Sequence, residues 1–64
     1  MAKQADKVLN EEERKAIFLA LVRAQDTMSV ARSRKAVAAD FGIAEEQVRR
    51  IEEEGLAAGW PPLD

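Results

Sequence analysis

The sequence predicts an all-α fold: a small three-helix domain whose second half is a helix-turn-helix. Three observations predict it. Apolar residues recur at three- and four-residue spacing in three separate stretches, the period of a helix buried along one face. Cap-forming side chains precede the first two of those stretches, and Pro61-Pro62 stops the last. Finally, Phe41-Gly42-Ile43 places a glycine between two short helical stretches, where a left-handed turn residue without a Cβ is needed.

Residues 1–9 read as a loose tail and 10–64 as a single domain. Val8 and Leu9 stand where an apolar residue before an N-cap staples onto the first turn and a half. Asn10 is a good N-cap, and Glu13 three residues later makes a capping box. Glu11, Glu12 and Glu13 suit the positive end of the helix dipole, so this acidic run is read as a cap rather than a metal site. The first helix is expected over about 11–25. Residues placed at ~100° intervals put Ile17, Phe18, Ala20, Leu21, Val22 and Ala24 on one apolar arc. Leu19 falls on the far side, either as an ordinary exposed leucine or as a contact with another chain.

The segment Asp26 to Arg32 reads as a loop with one helical turn. Ser29 and Ser33 compete as the cap of the second helix. Ser33 is favoured, because Val37, Ala38 and Phe41 follow it, and the helix is then expected over about 34–41. The third helix is expected from Glu45, with Val48, Ile51 and Leu56 on its apolar side. Gly55 either ends it or lies within a longer helix reaching Ala58 and stopping at Gly59; the longer helix, 45–58, is favoured. Trp60 is expected to fold back with Leu63 over a thin core, with a partner contact through Trp60 to Leu63 as the alternative.

Composition narrows the function. The 64 residues include no Cys, His or Tyr. That removes disulfides, thiolate metal sites and the commonest general base, and it argues against an enzyme or a bound cofactor. Ten basic and twelve acidic side chains leave a formal charge of −2. Arg32, Arg34, Lys35, Arg49 and Arg50 nevertheless cluster against only Asp40, Glu45 and Glu46, which predicts a basic face on an acidic whole. The polar opening and the shortness of the longest apolar run, Ala16 to Val22, predict a soluble cytoplasmic protein with no membrane association.

In a helix-turn-helix the second helix lies in the major groove. The outward positions are then Glu45, Glu46, Gln47, Arg49, Arg50 and Glu53. Arg pairs with guanine, Gln with adenine and Glu with the cytosine amino group, which makes Glu46, Gln47, Arg49 and Arg50 the candidate base contacts. Arg32, Ser33, Arg34 and Lys35, with the N–H groups opening the second helix, are the candidate phosphate contacts. Against this, Arg49 and Arg50 are spaced for intrahelical ion pairs with Glu52, Glu53 and Glu54.

The residues from Ser33 to Leu56 resemble the helix-turn-helix of region four of bacterial sigma factors. The resemblance rests on Phe41-Gly42-Ile43, Ala44-Glu45-Glu46-Gln47, Val48-Arg49-Arg50-Ile51-Glu52 and Gly55-Leu56, a little over a third of the chain. It implies a small helical bundle, sequence-specific duplex DNA binding and contact with RNA polymerase. It implies a phosphate contact for Ser33 and groove-facing roles for Glu46, Arg49 and Arg50. Glu45 stands where that family has a guanine-reading Arg, and Glu53 and Glu54 stand where it has basic residues. The usual minus-thirty-five promoter sequence is therefore not the expected target. The expectation is a small DNA-binding protein of transcription regulation, acting as a dimer or in a larger complex, with Leu19 and Trp60 as candidate contacts. The alternative is an acidic interaction module that docks on RNA polymerase or another nucleic-acid machine without reading DNA.

Overall fold

The computed structural model describes residues 8–63 and places them in three helices: α1 (Glu11–Ala24), α2 (Val30–Phe41) and α3 (Glu45–Ala58). Each helix packs against the other two, and no strand is present among the described residues. Of the expected loose tail at 1–9, residues 1–7 lie outside the described residues.

α1 begins as its sequence dictates. Asn10 Oδ1 accepts from the Glu13 N–H at 2.8 Å, and Glu13 Oε1 accepts from the Asn10 N–H at 3.0 Å, so the capping box closes in both directions. The staple is only half present: Leu9 packs against the core while Val8 is fully exposed. Arg14 fixes the entry of the chain by donating to the Leu9 carbonyl at 2.6 Å and, from Nε, to Glu54 of α3 at 3.0 Å. The expected apolar arc is observed, with Ile17, Phe18 and Leu21 buried and Ala20, Val22 and Ala24 packed at its edges.

α2 starts one turn earlier than expected. Ser29, not Ser33, is its N-cap and accepts from the Arg32 N–H at 3.2 Å. Ser33 lies one turn inside the helix, fully buried, its hydroxyl donating to the Val30 carbonyl at 2.7 Å. A serine satisfied by its own helix carries no unpaired polar group into the core, so the burial is tolerated.

α2 and α3 end alike. Gly42 and Gly59 both adopt left-handed backbone (φ 68° and 69°), a conformation that costs a side-chain-bearing residue a Cβ clash. In each case the following N–H reaches back five residues: Ile43 to the Ala38 carbonyl, Trp60 to the Gly55 carbonyl, both at 3.0 Å. This closure turns the chain so that the residue after each glycine points inward. Ile43 and Trp60 are accordingly both core residues, joining Ile17, Phe18, Leu21, Val37, Ala38, Val48 and Ile51.

The third helix takes the longer of its two expected courses, passing through Gly55 to Ala58. Gly55 is buried directly beneath the Phe18 ring. The Phe18 and Trp60 rings meet edge to face with centroids 6.0 Å apart, and Lys15 Nζ lies 5.9 Å from the Trp60 ring centroid. Two expected apolar contacts do not form. Leu63 is 48% exposed, so Trp60 closes the core without it. Leu56 is 57% exposed: one residue on from Gly55, it is rotated by ~100° out of the buried stripe.

Candidate nucleic-acid interface

Of the eight residues expected to touch DNA, the structure turns two inward and ties three, Arg34, Glu46 and Arg49, by ion pairs. Ser33 is buried and satisfied within α2, so it offers nothing to a phosphate. Gln47 is 8% exposed and lies on the α3 face that carries Val48 and Ile51, so it does not look outward toward a base. The error has a simple geometric origin: position 47 is four residues before the buried Ile51 and so shares its side of the helix.

Arg34 is held by Glu52. Its Nε donates to Glu52 Oε1 at 2.9 Å, its terminal nitrogen lies 2.9 Å from the same oxygen, and Gln25 Nε2 donates to Oε2 at 3.3 Å. Glu52, its side chain 14% exposed, thus joins the C-cap of α1, the first half of α2 and the middle of α3. A cation so engaged serves the fold before it serves a phosphate. Glu52→Ala is expected to cost about 1–2 kcal/mol, seen as a lower urea midpoint. A midpoint unchanged from the parent would show that the clasp does not contribute.

Arg32 and Lys35 differ from Arg34. Both are exposed on the outer side of α2, and among the described residues neither makes an ion pair. The neighbouring surface is made of small side chains, with Ala31 and Ala39 exposed beside them. Lys35 lines the shallow depression that also contains Gly42, Ile43, Ala44 and Glu45, so it sits beside the connection into α3.

α3 opens with Ala44 at its N-cap, where no side chain accepts from the first turn; Glu45 and Glu46 supply negative charge there instead. Its outer face carries Glu46, Arg49, Arg50 and Glu53, all exposed. Arg49 lies between two carboxylates of its own helix, 2.7 Å from Glu46 and 3.7 Å from Glu53. The expected competition for Arg49 is therefore present. Glu53 takes part in it, but Glu52 and Glu54 are diverted to Arg34 and Arg14 of other helices.

The two candidate partner contacts also separate. Trp60 is 7% exposed and belongs to the core, so it does not present a face to another chain. Leu19 is half-buried and stands outside the core cluster. Sequence reasoning did not find the role of Glu52, whose partners lie 18 and 27 residues away, beyond any helical spacing.

Fold and surface together define a three-helix all-α domain with Arg32 and Lys35 exposed on α2 and a mixed-charge outer face on α3. Comparison with protein-family models, curated proteins and solved structures finds no match. Among the described residues no helix is long and apolar enough to cross a membrane, and no three acidic, His or Cys side chains gather as a metal site.

Proposed function

We propose that this protein binds duplex DNA through α2 and α3, acting as a sigma-like helix-turn-helix in transcription regulation in the cytoplasm. The observation that carries the reading is the exposed pair Arg32 and Lys35, three residues apart on the outer side of α2 and without an ion-pair partner among the described residues. Like charges at that spacing repel, and phosphates passing over α2 relieve the repulsion while releasing counterions. Lys35 adjoins the turn that leads into α3, so a backbone seated on α2 brings the opening of α3 toward a groove. Arg49 and Arg50 are the base-reading candidates; Arg32 and Lys35 are the phosphate contacts. A single module of this size binds weakly, so a dimer or a larger complex including RNA polymerase is part of the proposal, with Leu19 as a candidate contact.

The test is titration of fluorescent duplexes at two salt concentrations. Lys35→Ala is expected to weaken binding to every duplex several-fold and to lower the salt slope by about one. Arg49→Ala is expected to cost about 1–3 kcal/mol on a preferred duplex and little on others. Undetectable or salt-independent binding at low ionic strength would overturn the proposal.

The carboxylates around Arg49 favour a second reading, in which the acidic outer face of α3 docks on a protein such as RNA polymerase. Recovery of a stable protein partner whose affinity is unchanged by Arg49→Ala would support it over the first.

A further inference from the structure

We infer that Glu46 and Glu53 are specificity-determining residues: by holding Arg49 between them they penalise duplexes that cannot offer it a replacement acceptor. The inference rests on the DNA-binding reading above. Its ground is the arrangement on the outer face of α3. Glu46 lies one turn before Arg49 and Glu53 one turn after it, and both carboxylates reach the same guanidinium from opposite ends. They are exposed, on the side of α3 away from Val48 and Ile51, so neither is needed to hold the helices together.

The energetics favour discrimination over affinity. Each exposed pair is weak, and the two together hold Arg49 only modestly. A phosphate or a guanine edge can therefore displace them. Displacement leaves two carboxylates facing the DNA, which is repulsive wherever the compensating contact is poor. A guanine presenting N7 and O6 takes both ends of the guanidinium fork at once and restores what the carboxylates supplied. A mismatched step offers less and leaves the repulsion standing. Discrimination built from repulsion against wrong partners is the general route to specificity when attraction alone is indiscriminate. The cations of α2 then supply affinity for any duplex, while the caged cation of α3 rejects most of them.

The experiment compares the parent with Glu46→Gln/Glu53→Gln on two probes: a pool of random-sequence duplexes, and the duplex the parent enriches from that pool. The double variant is expected to bind the pool about five- to tenfold more tightly and the enriched duplex by a smaller factor, so that the ratio of the two affinities falls. With Arg49→Ala added, the gain should become the same on both probes, because the guanidinium whose release depends on the duplex is gone. Glu12→Gln/Asp26→Asn, which removes the same charge from exposed positions off α3, should give a smaller gain. Far-UV circular dichroism checks that the variants keep their helices. Glu53→Gln alone, away from the first turn of α3, repeats the measurement without touching the charge at the helix start. Equal gains on both probes, or a difference between the two gains that survives Arg49→Ala, would overturn the inference while leaving DNA binding intact. No gain, or a parent that binds the pool but enriches no sequence, would do the same. Failure of both parent and variant to bind any duplex would overturn the DNA-binding reading itself, and this inference with it.

Discussion

Replacing Gly55 by Ala is expected to destabilise the domain by about 2–3 kcal/mol, although Ala is the better helix former by about 1 kcal/mol. The two effects act on different links. Propensity concerns the isolated helix and favours Ala. Packing concerns the space beside it, and there is none: a Cβ on Gly55 would overlap Phe18 Cδ1 and Cε1 and stand 2.7 Å from its Cγ. Phe18 is fully buried and its ring is already fixed edge to face on Trp60, so it has no easy retreat. The melting temperature of Gly55→Ala should fall by roughly 10–20 °C, since about 1 kcal/mol corresponds to 4–8 °C in a domain of this size. Phe18→Leu added to Gly55→Ala should recover part of the loss, because the clash is specific to the ring. A Gly55→Ala variant as stable as the parent would show that α1 can move away from α3 at little cost.

Trp60→Ala is expected to cost about 3–5 kcal/mol, the range for emptying a buried aromatic site. That is comparable with the whole stability of a small domain that has no cysteine and so no disulfide to hold it. The variant should lose cooperative urea unfolding, followed by far-UV circular dichroism because Trp60 is the only tryptophan. Trp60→Phe keeps an aromatic edge against Phe18 and should remain folded with a smaller loss. If Trp60 served a partner rather than the core, Trp60→Ala would unfold within about 0.5 kcal/mol of the parent, as surface substitutions generally do.

These two substitutions lie where the sequence was ambiguous. Gly55 reads as helix interior in the favoured course and as a helix end in the other, because propensity does not record that an aromatic ring on another helix occupies the place of a side chain. Trp60 beside a double proline reads first as core, with a partner contact as the alternative. The choice follows from the hydrogen bond five residues back to the Gly55 carbonyl, which swings the indole inward. Helix 1, by contrast, was legible almost residue by residue. Asn10 and Glu13 satisfy each other three positions apart, and the apolar arc from Ile17 to Ala24 has one face and one period. The second helix was misread at its start because Ser29 and Ser33 carry the same capping chemistry one turn apart. Burial, not local preference, separates them.

The candidate interface divides the same way. Helix number, the turn at Gly42 and the pairing of Arg49 within its own helix depend on neighbours a few positions away, and the sequence by itself determines them. Which cations remain available is another matter. Arg14 is engaged across 40 residues and Arg34 across 18, so composition and spacing leave every arginine looking alike. Only the packing of α1 and α2 against α3 brings Glu54 and Glu52 to those two. It leaves Arg32 and Lys35 on the outer side of α2, because a charge stays hydrated unless a third helix brings a carboxylate within reach.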